Sequence, residues 1–218
     1  MILCYVTDRH LLGEDSPSAL LQSSERAAAA GIDWIQIREK DLPARELSAL
    51  TRNIIAVTRQ FSSVANTPPR VIVNDRLDVA LAAGAAGVHL SGASAPPAEV
   101  VRWLRAGNAP SDFSVGVSCH SLAEVQAAEN AGANYVFFGP IYETPSKLDF
   151  GPPQGIDALS EACRSARIPV LAIGGITESN ARACIRAGAA GIAAIRVFQE
   201  VSDATHLHAI VLRLRASN

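Results

Sequence analysis

Four segments of this chain follow one layout: AAAAGIDWIQI (27–37), ALAAGAAGVHL (80–90), AAENAGANYVFF (127–138) and ACIRAGAAGIAAI (183–195). In each, an alanine-rich stretch reaches Ala-Gly or Arg-Ala-Gly, two or three residues follow, and an apolar run begins. Glycine at that point reads as the C-terminal cap of a helix, since it enters the left-handed region without the steric cost of a Cβ. The residues after it make a short link into a strand. A repeated helix-glycine-strand unit demands parallel strands, because consecutive parallel neighbours need a helical crossover between them.

Apolar runs supply eight strands, at 2–7, 34–38, 70–74, 87–91, 114–118, 135–139, 169–173 and 191–196. Helices are expected between them at Pro17–Ala30, Ala44–Gln60, Leu77–Ala83, Leu122–Asn130, Ile156–Ala166 and Glu178–Ala187. Ser16 is expected to cap the first, with Pro17 in its first helical position. Eight such units without a break in composition predict an α/β fold, a (β/α)8 TIM barrel forming a single domain over residues 1–218. An open doubly wound sheet would carry a GxGxxG turn after its first strand, and the chain has none.

Composition narrows the function. Hydrophobic residues are 49% of the chain and charged ones 18%, the balance of a well-buried globular protein. A formal net charge of −2 without a long basic run argues against nucleic acid as a partner. The apolar runs are too short and too interrupted for a membrane span, and the opening MILCYVTDRH lacks a charged-then-apolar signal pattern. Cys4, Cys119, Cys163 and Cys184 are dispersed, with no CxxC pair, so reduced thiols and a cytoplasmic location are expected. Oligomeric state stays open: Ile54, Val57 and Phe61 suit either a core or the interface of a homodimer.

In a barrel of this type the chemistry belongs at the C-terminal ends of the strands. Those ends read TDRH, REK, NDR, SG, SCHS, GPIYETPSK, GGIT and IR in chain order. For any one strand, a solvated terminus explains polar residues equally well. The convergence is what a solvated terminus does not explain: Arg38, Lys40, Asn74, Ser118, His120 and Lys147 are mostly donors delivered to one rim. Cations and neutral donors gathered in that way describe an anion site, of the kind a phosphate or diphosphate occupies. Alternation along WIQIREKDL puts Gln36, Arg38 and Lys40 on the barrel side and Ile35, Ile37 and Glu39 on the other. Gly174-Gly175 after the seventh strand suits a phosphate loop or a tight turn. Asp75 is the carboxylate placed to meet Mg²⁺ carried by a diphosphate. His89, inside a strand, and His208, on the last helix, lie outside this set.

Taken together, QIREKDL, VNDRLDVALAAGAAGVHL, GVSCHS, YVFFGPIYETPSK and IPVLAIGGIT resemble the thiamine phosphate synthase family and its relative, the thiazole tautomerase. The likeness runs from YVTDRH to GIAAIRVF. It implies an enzyme of thiamine biosynthesis that joins hydroxymethylpyrimidine diphosphate to thiazole phosphate and releases diphosphate. On that resemblance Gln36, Arg38, Lys40, Asn74, Ser118 and Lys147 hold the diphosphate, and Asp75 ligates Mg²⁺. Thr144, Ser146, Gly174, Gly175 and Ile195 hold the thiazole phosphate. Arg38, Ser118, His120 and Lys147 form the catalytic set. The expected partners are therefore small phosphorylated substrates. A dissociative reaction of this kind needs stabilisation of the leaving group more than a nucleophile.

Two positions depart from the synthase pattern. After GVHL the synthase carries Gly-Gln-Glu-Asp, whose Asp is a second Mg²⁺ ligand; here the chain reads Ser91-Gly92-Ala93-Ser94. Arg196 stands where a small hydroxyl residue is usual. The serine loop leans toward the tautomerase, a metal-independent aromatisation of thiazole carboxylate phosphate in which His120 is the acid/base. Retention of Gln36, Asn74 and Asp75 leans back toward the synthase. A non-catalytic barrel that binds thiazole or pyrimidine phosphates is the third reading; it would be marked by loss of His120 or Arg38, and both are present.

Overall fold

The computed structural model describes residues 1–13, 17–61, 67–144 and 152–216. Eight strands close into a barrel: β1 (Ile2–Val6), β2 (Trp34–Ile37), β3 (Arg70–Asn74), β4 (Gly87–Leu90), β5 (Ser114–Cys119), β6 (Tyr135–Phe138), β7 (Val170–Ile173) and β8 (Gly191–Ala194). All pair in parallel and in chain order, and β8 returns to β1 with Gly191 beside Ile2. The crossovers are α1 (Pro17–Ala29), α2 (Ala44–Thr58), α3 (Leu77–Ala83), α4 (Pro97–Trp103), α5 (Leu122–Asn130), α6 (Gly155–Ser165) and α7 (Glu178–Arg186). After β8 come a short α8 (Arg196–Gln199) and α9 (Ala204–Arg215).

The repeated glycines act as the pattern requires. Gly31, Gly84, Gly132 and Gly188 all have positive φ, and Gly84 caps α3 at φ 73°, donating its amide to the carbonyls of Ala80 and Leu81. Each ends a helix where a side chain would be strained. Most element ends fall within two residues of the sequence expectation, the usual fraying distance. The expected N-cap Ser16 lies outside the described residues, while α1 does begin at Pro17.

The expected strand 191–196 is a correction: β8 stops at Ala194, and Arg196 opens α8. Burial drives the change. Phe198 and Gln199 turn into the core at 0% and 3% exposure, which an extended continuation would not allow. Gln199 then clamps the first strand. Its Oε1 accepts from the Tyr5 hydroxyl at 2.7 Å and from the Asp8 amide at 3.0 Å, and its Nε2 donates to the Asp8 carbonyl at 2.6 Å.

Two cores result from alternation along the strands. Outward residues such as Ile35 and Ile37 pack against the helices, together with Ile54 of α2, which is fully buried. Phe61 is half-buried at the edge of the same core. Inward residues Cys4, Val6, Ile72, Tyr135, Phe137, Leu171 and Ala193 fill the barrel. Its N-terminal end is closed by Arg70, whose Nη2 donates to the carbonyls of Ala86 and Asp112 and to Ser114 Oγ at 2.8–3.1 Å. Access is therefore left to the opposite end.

Candidate active site

The C-terminal ends of the strands open on a cavity of about 880 Å³. Of the residues singled out from sequence, Gln36, Arg38, Lys40, Asn74, Ser118, His120, Thr144, Gly174, Gly175 and Ile195 line it. Asp75 stands directly behind this wall, bonded to Asn74 and Ser91. Ser146 and Lys147 lie outside the described residues. His208 is on α9, with Nδ1 3.2 Å from the Ala30 carbonyl, away from the cavity.

The charge run Arg38-Glu39-Lys40-Asp41 is sorted by a residue that sequence reasoning did not single out. Arg9 is only 7% exposed and Glu39 only 4%. The Arg9 guanidinium donates to Glu39 Oε2 at 3.2 Å and to both oxygens of Asp41 at 2.5–2.7 Å. Thr7 Oγ1 donates to Glu39 Oε1 at 2.6 Å and accepts from the Arg38 amide at 3.0 Å. Glu39 thus points away from the cavity, as alternation requires, and its charge is met by Arg9. The cavity side keeps Arg38 and Lys40 uncancelled by their own sequence neighbours. Arg9 also holds the Asp41 carboxyl well below the usual carboxylate range. The legible signal was an arginine two residues beyond one strand end beside a strand end carrying two acids.

On the neighbouring wall a chain of side-chain amides has a fixed polarity. Asp75, at φ 59°, donates its backbone amide to the His89 carbonyl at 2.8 Å. Its Oδ1 accepts from the Ser94 hydroxyl and, at 2.9 Å, from the Ser91 amide. Its Oδ2 accepts from Asn74 Nδ2 at 2.6 Å. Burial works against ionisation of Asp75, but the Ser94 and Ser91 hydrogen bonds and the Lys40 charge outweigh it and lower the pKa. A carboxylate can only accept, so Asn74 must turn its Nδ2 toward Asp75 and its Oδ1 toward Gln36. Gln36 in turn donates Nε2 to Asn74 at 2.9 Å. Its Oε1 is left buried, with no hydrogen-bond partner among the described residues. Gln36 lines the cavity with its amide oriented through Asn74, while the oxygen itself stays buried.

His120 follows β5, and its Nδ1 bonds the Gly139 carbonyl. A carbonyl accepts only, so Nδ1 carries the proton that makes this bond. Gly174 and Gly175 have φ of 94° and 65°. A Cβ on Gly174 would fall 2.5 Å from Pro140 Cα, and one on Gly175 would fall 2.5 Å from the Glu143 carbonyl oxygen. These glycines are required by the loop after β6 packing over them, while their backbone still lines the cavity. The acidic residues on the far side are largely spoken for: Glu178 pairs with Arg213 at 2.5 Å and Glu200 with Arg196 at 3.3 Å.

His89, set aside from sequence, lines the cavity floor and contacts both Ser118 and Tyr135. The period of two along β4 carried the signal, since it sets His89 beside Asn74 on the inward side.

Comparison with known proteins gives one consistent result. A family model described as thiamine monophosphate synthase matches residues 3–198. The chain is 42% identical over 214 residues to the thiamine-phosphate synthase of Roseiflexus sp. (strain RS-1), covering 96% of this chain and 85% of that protein. It is 43% identical over 194 residues to the thiamine-phosphate synthase of Roseiflexus castenholzii, covering 89% and 79% respectively. Among solved structures, thiamine phosphate pyrophosphorylase from Pyrococcus furiosus superposes with a TM-score of 0.81 at 30% identity, over 99% of this chain and 94% of that one.

Proposed function

The chain belongs to the thiamine monophosphate synthase family, and we propose that it acts as a thiamine-phosphate synthase, joining hydroxymethylpyrimidine diphosphate to thiazole phosphate with release of diphosphate. The observation that carries this reading is the sorting of charge just beyond β2. Arg9 takes up Glu39 and Asp41, so Arg38 and Lys40 meet the cavity as cations beside Ser118. A leaving diphosphate accumulates negative charge as its bond to the pyrimidine methylene breaks. Cations fixed in place beforehand stabilise that state without reorganising. The thiazole nitrogen then supplies its electron pair to the methylene carbon, so no side-chain nucleophile is needed. Lys147 completes the expected cradle from outside the described residues.

Gln36 stands beside Arg38 on the same wall, its amide held by Asn74 and through it by Asp75, and belongs with the groups that surround the diphosphate. Thr144, Ile195 and the Gly174-Gly175 turn line the wall left for the thiazole phosphate, with Ser146 expected beside them.

The donor set around Asp75 fits magnesium in one specific way. Among the described residues no three His, Cys, Asp or Glu side chains gather as ligands. Oδ1 of Asp75 is taken by two donors, while Oδ2 receives one and keeps a lone pair. Mg²⁺ commonly accepts one protein carboxylate together with substrate phosphates and waters. Asp75 would hold such an ion through Oδ2, and the ion would offset charge on the diphosphate. The reading also carries a cytoplasmic location, in line with four unpaired cysteines. No helix among the described residues is long and apolar enough to cross a membrane.

The test is release of diphosphate from both substrates with Mg²⁺ and purified protein; no release at saturation would overturn the reading. One observation favours a second activity, thiazole tautomerisation: the serines that occupy Oδ1 of Asp75 suit a metal-independent site. An isomerisation assay on the same preparation separates the two, because His120→Asn should abolish isomerisation if that proton transfer is the reaction.

A further inference from the structure

Beneath the cavity three polar side chains touch inside the barrel. His89 is 1% exposed, with Nε2 2.9 Å from Ser118 Oγ and Nδ1 3.2 Å from the Tyr135 hydroxyl. Phe137 covers the imidazole with centroids 4.2 Å apart, and Trp34 meets Tyr135 edge-on at 4.7 Å. Gly116 makes room for the phenol, since a Cβ there would lie 2.1 Å from Tyr135 Cζ. The arrangement is therefore rigid, and where its protons sit follows from counting donors.

Among the described residues the buried Tyr135 hydroxyl finds its hydrogen-bond partner in His89 Nδ1. If the phenol accepted from the imidazole, its own O–H would be left unsatisfied in the core. An unused oxygen lone pair is the cheaper vacancy. Tyr135 therefore donates to Nδ1. An imidazole nitrogen that accepts has no proton of its own, so the ring is neutral. A neutral imidazole that accepts at Nδ1 carries its proton on Nε2. That proton can only go to Ser118 Oγ, so Ser118 accepts from below and its own hydroxyl proton is turned toward the cavity.

We propose that His89 and Tyr135 form a buried relay that fixes Ser118 as a hydrogen-bond donor toward the diphosphate, making His89 a positioning residue for the reaction. The proposal rests on reading Ser118 as a diphosphate ligand. A hydroxyl held in this polarity favours an anionic oxygen and disfavours a ligand group that presents its own N–H or O–H. The opposite tautomer would reverse that preference without moving any heavy atom.

The tautomer is measured directly by ¹⁵N NMR of histidine-labelled protein, with the His89 signals assigned by difference from His89→Gln. The expected spectrum has the proton on Nε2 and a bare Nδ1. A proton on Nδ1 overturns the proposal. Kinetics test the consequence. Ser118→Ala should lower kcat about 100-fold, as expected for one lost donor to developing charge. His89→Leu should cost about tenfold, the low end for a partner that orients a ligating group. His89→Gln should restore most of that loss, because its amide can donate from near the position of Nε2. In the Ser118→Ala background, His89→Leu should cost no more than about twofold more, since the two share one pathway. A fully additive loss, or glutamine no better than leucine, overturns the relay. If Ser118→Ala leaves turnover unchanged, it is the reading of Ser118 as a diphosphate ligand that fails, and the spectrum shows separately whether the relay exists.

Discussion

Ser94 donates its hydroxyl to the carboxylate of Asp75. A neutral donor thus stands where the synthase pattern has a second acid. Ser94→Asp should place a second carboxylate beside Oδ1 and strengthen the hold on a diphosphate-borne cation. We expect the Mg²⁺ concentration for half-maximal diphosphate release to fall about tenfold, the size of one modest coupling energy. An unchanged Mg²⁺ dependence would show that this loop does not face the ion.

Arg38 should be sensitive to its shape as well as its charge. Arg38→Ala is expected to reduce kcat/KM for the pyrimidine diphosphate about 100-fold or more. Arg38→Lys should recover only part of the loss, because an ammonium cannot reproduce a planar fork of donors. Steady-state kinetics with thiazole phosphate saturating would check both, and full activity in Arg38→Lys would contradict bidentate binding.

Arg9 predicts a stability effect with an activity effect behind it. Arg9→Met leaves Glu39 buried at 4% exposure without its cation, which should cost about 3–5 kcal/mol. Adding Glu39→Met should return much of that stability, because a buried pair replaced by apolar residues of similar volume is often nearly neutral. Urea unfolding of the three proteins measures this. Equal destabilisation in the single and double variants would mean that charge compensation is not the reason Arg9 is buried.

Asp41 sets a pH dependence whose sign is fixed. Its folded pKa lies below its ordinary value because Arg9 bonds its carboxylate. The stabilisation is therefore complete above the ordinary carboxylate pKa of about 4 and is lost as pH falls through the lowered folded value. Asp41→Asn should narrow the stability gap from wild type steadily as pH drops below about 4. A gap that stays constant down to strongly acidic pH would refute the linkage.

Gly116 offers a packing test of the barrel floor. Gly116→Ala drives a methyl group to 2.1 Å from Tyr135 Cζ, and overpacking of this sort costs about 1–3 kcal/mol. Thermal unfolding should register the loss. A protein of unchanged stability would require Tyr135 to have moved, which the His89 NMR signals would report.

The fold was almost wholly legible because one local signal, glycine at a helix end before an apolar run, recurs and has a single geometric meaning. The rim was legible for a related reason: the period of two along WIQIREKDL settles which side each residue takes. What escaped was set by neighbours distant in sequence. Arg9 belongs to β1's loop but acts on β2's acids, across 30 and 32 residues. The orientation of the Gln36 amide follows from Asp75 through Asn74, a polarity that no single residue carries. Arg196 was misplaced because GIAAIR continues an apolar run, and only the burial of Phe198 and Gln199 shows where the strand must stop.

Gln199 has a consequence in time as well as in space. Its side chain closes the ends of the barrel by holding the backbone of Asp8, 191 residues earlier. The first strand and its loop must therefore wait for the 191 residues that follow before that clamp can form. Such long-range closure slows folding. The loop after the first strand is then among the last parts of the rim to be secured, and the site is not finished until β8 and α8 have docked.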